Sequence, residues 1–153
     1  MRSAGKGPPE KSEPGSAKSP EGVVSEFVRR SFYQPNQRSD TVSRDQIALV
    51  YRRAIDLVWQ GLSPWLGPLG CRAIVNRALD VSGRKWVFLQ GMRVTETGLD
   101  ADRLHRALDG VSPSQAAEGL EELLLQIVQV VRSLTGEVLT EPLLAVLSDF
   151  ARE

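Results

Sequence analysis

Apolar residues recur every three or four positions along several stretches of the chain, a spacing typical of amphipathic helices. The first long stretch opens at Ser43, which predicts a helix N-cap, and Gln46 completes a capping box three residues later. This helix is expected to end near Leu62. Its predicted core face is formed by Ile47, Tyr51, Ala54, Val58 and Leu62.

Glycine and proline interrupt the pattern between residues 61 and 70. They predict a tight corner around Trp65, because both residue types break helices. A second helix is expected from about Leu69 to Val81. Its inward positions would be Ile74, Ala78 and Val81.

The segment near 84–98 has no clear period. A short apolar run is followed by a stretch that favours extended chain and leads to a turn at Gly98. Either a short helical turn or a small hairpin fits, because periodicity cannot separate the two over so few residues. Asp100 then predicts the N-cap of a short helix through Leu108.

The clearest predicted element is a long helix that begins after Ser112. Ser112 is expected at the N-cap, Pro113 at the first helical position and Gln115 two residues later. The core positions are Leu120, Leu124, Ile127, Val131 and Leu134. Further apolar residues widen this stripe over most of the circumference. Such a helix is either surrounded by other elements or lies in a dimer interface.

A last helix is expected to open at Thr140 and Pro142, after Gly136. The predicted fold class is therefore all-α: a four- to five-helix bundle with a short irregular or β segment near 84–98 and a disordered N-terminal tail. The predicted domains are a disordered tail (1–22), a short docking segment with a linker (23–42) and a helical bundle (43–153).

An apolar island at residues 23–33 stands between the polar tail and the polar linker. Val24, Phe27 and Val28 would share one helical face, and Phe32 lies beside it. The island is too short to form a stable helix alone, so it must dock on its own domain or on another chain. We expect the partner-binding residues to be Val24, Phe27, Val28 and Phe32 of the island, with Leu120, Leu124, Ile127 and Val131 of the long helix.

Charge is balanced overall and unevenly distributed. Residues 23–106 carry a net charge of +5 and residues 107–153 a net charge of −6. The two parts either attract each other within the fold or form opposite surface faces. One cysteine excludes an intramolecular disulfide, and no apolar run approaches the roughly 20 residues of a membrane span. We therefore expect a cytoplasmic protein with no membrane partner.

The sequence contains few residues or motifs that could catalyse a reaction or bind a metal or cofactor. One histidine, His105, and one cysteine, Cys71, cannot form motifs of paired metal ligands, and no phosphate-binding loop pattern is present. His105 is interpreted as a solvated surface residue and Cys71 as a small residue at the Gly-rich corner. A helix N-terminus would nevertheless activate a thiol. No catalytic residue, cofactor or metal is predicted, and the chain is not expected to be an enzyme.

Two alternatives stay open beside an interaction function. The second helix carries Arg72, Asn76 and Arg77, which would suit a small DNA-binding regulator. The domain is not basic overall, so nucleic acid is not the expected partner. The other alternative is a small-molecule binder or enzyme with a pocket near Trp59, Trp65 and Trp86, although such tryptophans are more often part of a core.

The order of elements is similar in outline to that of bacterial signalling-associated domains. The likeness rests on the Val-Thr-x-x-Gly turn at residues 94–98 and on two Leu-rich helices divided by Thr135-Gly136-Glu137. It transfers no functional residue. The widely apolar long helix, the disordered tail, the docking island and the lack of a chemical motif lead us to expect a non-enzymatic helical protein–protein interaction module in bacterial-type signalling, regulation or assembly. Its partner would be a protein of unknown identity or a second copy in a homodimer.

Overall fold

A computed structural model describes residues 19–32, 43–95 and 98–152. Residues 151 and 152 are described by their backbone alone. The predicted all-α bundle with a small β segment is confirmed. The elements in order are α1 (Pro20–Phe32), α2 (Arg44–Ser82), a short 3-10 helix (Val87–Gly91), β1 (Val94–Thr95), β2 (Gly98–Leu99), α3 (Ala101–Ala107), α4 (Pro113–Thr135) and α5 (Glu137–Arg152). The predicted linker at 34–42 and most of the predicted tail lie outside the described residues. Helix α1 takes in the last three residues assigned to that tail.

The predicted helix starts are set by local side-chain caps. Ser43 and Gln46 form a reciprocal capping box at the start of α2. Ser112 and Gln115 form a second one at the start of α4. Asp100 caps α3 by accepting a hydrogen bond from the Arg103 backbone amide. Each cap satisfies amide groups that the first helical turn leaves without partners.

The corner predicted between residues 61 and 70 is narrower in the structure. The chain stays helical through Pro64 and breaks at Gly67, where φ is 72° and ψ is 174°. Only glycine adopts this backbone region readily, so Gly67 sets the position of the break. The kink divides α2 into two arms, α2a (44–66) and α2b (68–82). All five predicted core residues of α2a are buried.

Helix α4 is the central element, because α1, α2 and α5 all pack against it. The Tyr51 hydroxyl donates a hydrogen bond of 2.6 Å to the Ala116 carbonyl and joins the start of α2a to the start of α4. The long helix is thus surrounded within its own domain, one of the two arrangements that its apolar circumference allowed.

Two contacts fix the direction of α5 against α2a. A Cβ atom built on Gly61 would lie 3.2 Å from the Leu143 Cα atom, and the Arg53 guanidinium lies 5.9 Å from the Phe150 ring centroid. The two helices are therefore antiparallel. At about 1.5 Å per residue, the Gly67 kink and the α4–α5 turn at Gly136 each lie roughly 10 Å beyond the Gly61 contact. Both turns are at the same end of the bundle, which we name the corner end.

The described part of the island, residues 23–32, docks on its own bundle. Helix α1 packs against α4 and α5, with the Phe27 and Phe150 ring centroids 5.4 Å apart. On the other side, the Ser25 hydroxyl donates a 2.7 Å hydrogen bond to the Glu121 carboxylate. The apolar face of α1 is buried through Val23, Val24, Phe27, Val28 and Phe32.

The last helix begins earlier than the sequence pattern predicted. It starts at Glu137, directly after Gly136, and Pro142 lies inside it. Gly136 ends α4 with φ at 64°, a positive value that lets the chain reverse within one residue. The buried Thr140 hydroxyl donates a 2.7 Å bond to the Gly136 carbonyl, so Thr140 closes this turn rather than opening the helix.

Candidate protein-interaction surface

The eight residues predicted to bind a partner lie in the core of the chain itself. Four belong to α1 and four to α4, and all eight are at most 3% exposed. The structure thus brings both predicted groups together in one cluster. Their side chains are occupied by contacts within the domain. Binding of another chain by these residues stays a prediction, and it would require α1 to leave the bundle.

Large apolar side chains are exposed instead at the corner end. Trp65 and Leu69 are each 64% exposed, on the two sides of the Gly67 kink. Leu134 and Val138 are each 67% exposed, on the two sides of Gly136. We name these four residues the corner surface. Two further exposed apolar residues, Leu49 and Val87, lie elsewhere in the fold.

The exposure of Leu134 and Trp65 differs from the sequence interpretation. Leu134 continues the apolar spacing of α4 and was expected to face inward. It lies in the last turn of α4, where Arg132 and Ser133 are exposed as well. Trp65 was expected in the core, because tryptophan at a tight corner is usually buried. Here it precedes the kink and faces solvent.

A groove runs from the corner surface between α2b and α4. Its volume is about 530 Å³. Its apolar lining comes from Ala73, Ile74, Val81, Val130 and Leu134. Leu69 precedes Ala73 by one helical turn and therefore extends the same face of α2b towards the kink. Leu134 belongs to both the groove and the corner surface, and we take the two together as the candidate site.

Arg77 is the charged residue in the lining of this groove. Gln126, Gln129 and Ser133 supply the other polar groups. The arginines nearby are engaged: Arg93 pairs with Asp80 at 3.4 Å, and Arg132 pairs with Glu137 at 3.2 Å. Among the residues that the structure describes, Arg77 has no ion-pair partner. The site is thus an apolar groove with one available positive charge.

No family model, no curated protein and no solved structure matches this chain.

His105 holds α3 against the start of α2. Its Nε2 atom lies 3.3 Å from the Asp45 carboxylate, and its Nδ1 atom lies 3.1 Å from the Ala101 carbonyl oxygen. Arg44 pairs with Asp109 at 3.3 Å across the same junction. These exposed contacts explain His105 as a residue that positions α3.

Cys71 is a buried free thiol. Burial raises the pKa of the Cys71 thiol above its ordinary value, because the thiolate is poorly solvated in the core. A reactive cysteine needs the opposite shift together with access to solvent. The helix start that might have activated Cys71 therefore does not do so in this structure.

One of the residues proposed to contact DNA, Asn76, has a structural role in the fold. The Asn76 amide group hydrogen-bonds both backbone groups of Val94 in β1. It is therefore not available to read a base edge in this conformation. Arg72 and Arg77 are exposed on the same helix.

The three tryptophans do not form one platform. Trp65 precedes α2b and Trp86 follows it, so about 22 Å of helix separates them. Trp86 stacks edge-on against Phe88 with the ring centroids 6.3 Å apart, and Lys85 lies over its ring at 5.9 Å. Trp59 packs against the core. A shared aromatic pocket is absent from the described part of the chain.

No group of three metal-ligating side chains occurs among the described residues. In the same ranges, no helix is both long and apolar enough to cross a bilayer.

Proposed function

We propose that this chain is a non-enzymatic helical interaction module that docks a partner protein on the corner surface and the α2b–α4 groove. The observation that carries the proposal is the grouping at one end of four large apolar side chains, each about two-thirds exposed. Contiguous exposed apolar surface beside a groove is typical of protein-binding sites, whereas single exposed apolar residues need no explanation.

The composition of the surface supports this use. Trp65 is a tryptophan, a residue type that dominates binding energy in protein interfaces. Gln126, Gln129 and Ser133 lie beside the apolar lining and supply hydrogen-bonding groups for a polar margin. Because the corner-surface side chains contribute little to the core, their burial by a partner adds stabilisation that the isolated chain lacks.

We infer that the module works in a reducing compartment such as the cytoplasm, where a buried free thiol like that of Cys71 persists. A role in signalling, regulation or assembly fits a small domain whose most prominent surface feature is a docking site. Self-association through the same surface is the competing use, and the experiment below separates the two.

The test is site-specific photo-crosslinking in the source cell with the full chain. A photoreactive phenylalanine analogue replaces Leu69 in one variant and Leu49 in the matched control, since Leu49 is exposed away from the corner end. We expect a discrete crosslinked protein from position 69 alone, and its loss when Leu134→Lys is added. Equal crosslinking from both positions, or no effect of Leu134→Lys, would show the surface to be inert. A crosslink to a second copy of the chain would show that this surface mediates self-association and does not bind a different protein.

A further inference from the structure

We infer that the segment received by the α2b–α4 groove is an amphipathic helix with a carboxylate that pairs with Arg77. This inference rests on the proposed function and adds the chemistry of the partner. Its basis is the shape of the groove, the single unpaired charge in its lining and the composition of the other segments that could fill it.

The shape of the groove suits a helix. Its two walls are helices: α2b contributes Ala73, Ile74 and Val81, and α4 contributes Gln126, Ser133 and Leu134. A third helix packs into such a groove at an interaxial distance of about 8–10 Å. The arm α2b is about 22 Å long, so a helix of roughly four turns would follow it. Apolar residues at positions i, i+3 or i+4, and i+7 of that helix would reach the apolar lining.

The charge in the groove selects an acidic partner. A helix laid over Ile74 and Val130 would remove water from around Arg77. Because Arg77 has no ion-pair partner among the described residues, its desolvation would oppose binding unless the helix brought a carboxylate. An arginine guanidinium and a carboxylate form two parallel hydrogen bonds, so this pair would also fix the register of the bound helix.

A second copy that presented the same groove to this one would fit less well. Its equivalent face would present another Arg77 among neutral amides. The acid three residues further on, Asp80, is already paired with Arg93. Like charges placed across an interface oppose association.

The chain's own remaining segments have the wrong composition. Residues 1–18 carry four basic and two acidic residues, and Met1 is their sole apolar residue larger than alanine. Residues 33–42 offer two large apolar residues, Tyr33 and Val42, and no net charge. Neither segment has the apolar spacing that would fill the groove along its length.

The test begins with a displayed library of helix-favouring 15-residue peptides, selected on the full-length protein. The enriched peptides should carry apolar residues at i, i+3 or i+4, and i+7, with Asp or Glu at one fixed position. The consensus peptide is then synthesised, and its affinity is measured by fluorescence anisotropy. We expect Arg77→Glu to weaken binding at least tenfold, and a Glu→Lys peptide to recover most of that loss on the Arg77→Glu protein. Leu49→Lys is the matched control and should leave the affinity unchanged.

The remaining outcomes separate this inference from the proposed function. Peptides that depend on Leu134 but contain no acid, with Arg77→Glu harmless, would overturn the acidic-helix inference and leave the docking function standing. No enrichment, or binding that Leu134→Lys does not change, would overturn both. Dimerisation of the wild type in sedimentation velocity, abolished by Leu134→Lys, would identify a second copy as the occupant and overturn the acidic helix.

Discussion

The side chain of Asn76 pairs with both backbone groups of Val94. The Val94 amide donates to the Asn76 Oδ1 atom at 3.1 Å, and the Asn76 Nδ2 atom donates to the Val94 carbonyl at 3.2 Å. A side-chain amide thus takes the place that a neighbouring strand would occupy beside β1. Because β1 is only two residues long, this pair holds the small hairpin against α2b.

Replacement of Asn76 by alanine should destabilise the domain by about 1–3 kcal/mol, because two partly buried backbone groups lose their partners. Urea denaturation followed by circular dichroism gives the free energy of unfolding. Arg77→Ala is the matched control on the next, exposed residue and should change it by less than about 0.5 kcal/mol. Equal effects of the two substitutions would contradict a structural role for the Asn76–Val94 pair.

Phe27→Ala should destabilise the protein strongly, because this ring docks α1 on the bundle. Phe27 is fully buried against Phe150, and removal of a buried phenylalanine side chain typically costs about 3–5 kcal/mol. Thermal and urea unfolding of the full chain measure the loss. Glu26→Ala alters the neighbouring residue, which pairs with Arg29 and Arg30, and should leave the midpoint almost unchanged. A loss below about 1 kcal/mol for Phe27→Ala would mean that α1 is detached.

Gly67→Ala isolates the backbone cost of the kink. A Cβ atom there meets nothing within 4 Å, so no steric clash contributes. The φ of 72° and ψ of 174° are nevertheless unfavourable for alanine, and we expect a loss of about 1–3 kcal/mol in urea denaturation. Gly22→Ala in α1 has an ordinary helical backbone, and its Cβ atom would meet only the exposed Ser19 hydroxyl at 3.3 Å, so it should cost clearly less than Gly67→Ala. An unchanged stability for Gly67→Ala would show that the corner relaxes to another conformation.

Stability should fall at alkaline pH because of two buried acids. Burial raises the pKa of the Cys71 thiol above 9.0 and raises that of the Tyr51 phenol well above 10.0. Both groups stay neutral up to a higher pH in the folded state than in the unfolded state. The unfolded chain therefore releases these protons at a lower pH than the folded chain does. The free energy of unfolding is therefore fully retained below about pH 9 and decreases as the pH rises further.

Urea denaturation between pH 7.5 and 10.5 tests this linkage. The difference between the wild type and Cys71→Ala isolates the thiol from the other groups that titrate in the same range. We expect Cys71→Ala to show a shallower decline that begins later. Parallel declines in the two proteins would exclude a contribution from Cys71.

The parts of the fold that sequence predicted best are those decided within one helical turn. The Ser112–Gln115 capping box needs only the residues that form it, and its position is confirmed. The core face of α2a followed from spacing alone. The position of the break at Gly67 could not be predicted in this way, because the helix continues through Pro64, which normally interrupts a helix.

The residues of the candidate surface could not be predicted from the spacing of apolar residues along the chain. Leu134 continues the apolar period of α4, and its exposure depends on where α2 and α5 stop covering that helix. Leu69 falls on a face of α2b that periodicity did not mark as inward, and its neighbours are set by the pairing of α2b with α4. Arg77 is distinguished from the other arginines without an ion pair by its place in the lining of the groove. These properties arise from contacts between distant parts of the chain.

The contact between Ser25 and Glu121 joins residues that are 96 positions apart. At a synthesis rate of about 5–20 residues per second, the segment that forms α1 leaves the ribosome roughly 5–20 s before the partner surface on α4 follows it. During that interval the apolar face with Phe27 and Phe32 has no docking site on its own chain. The first helix is thus among the last to be secured, and nascent chains present it to chaperones and to neighbouring chains in the meantime.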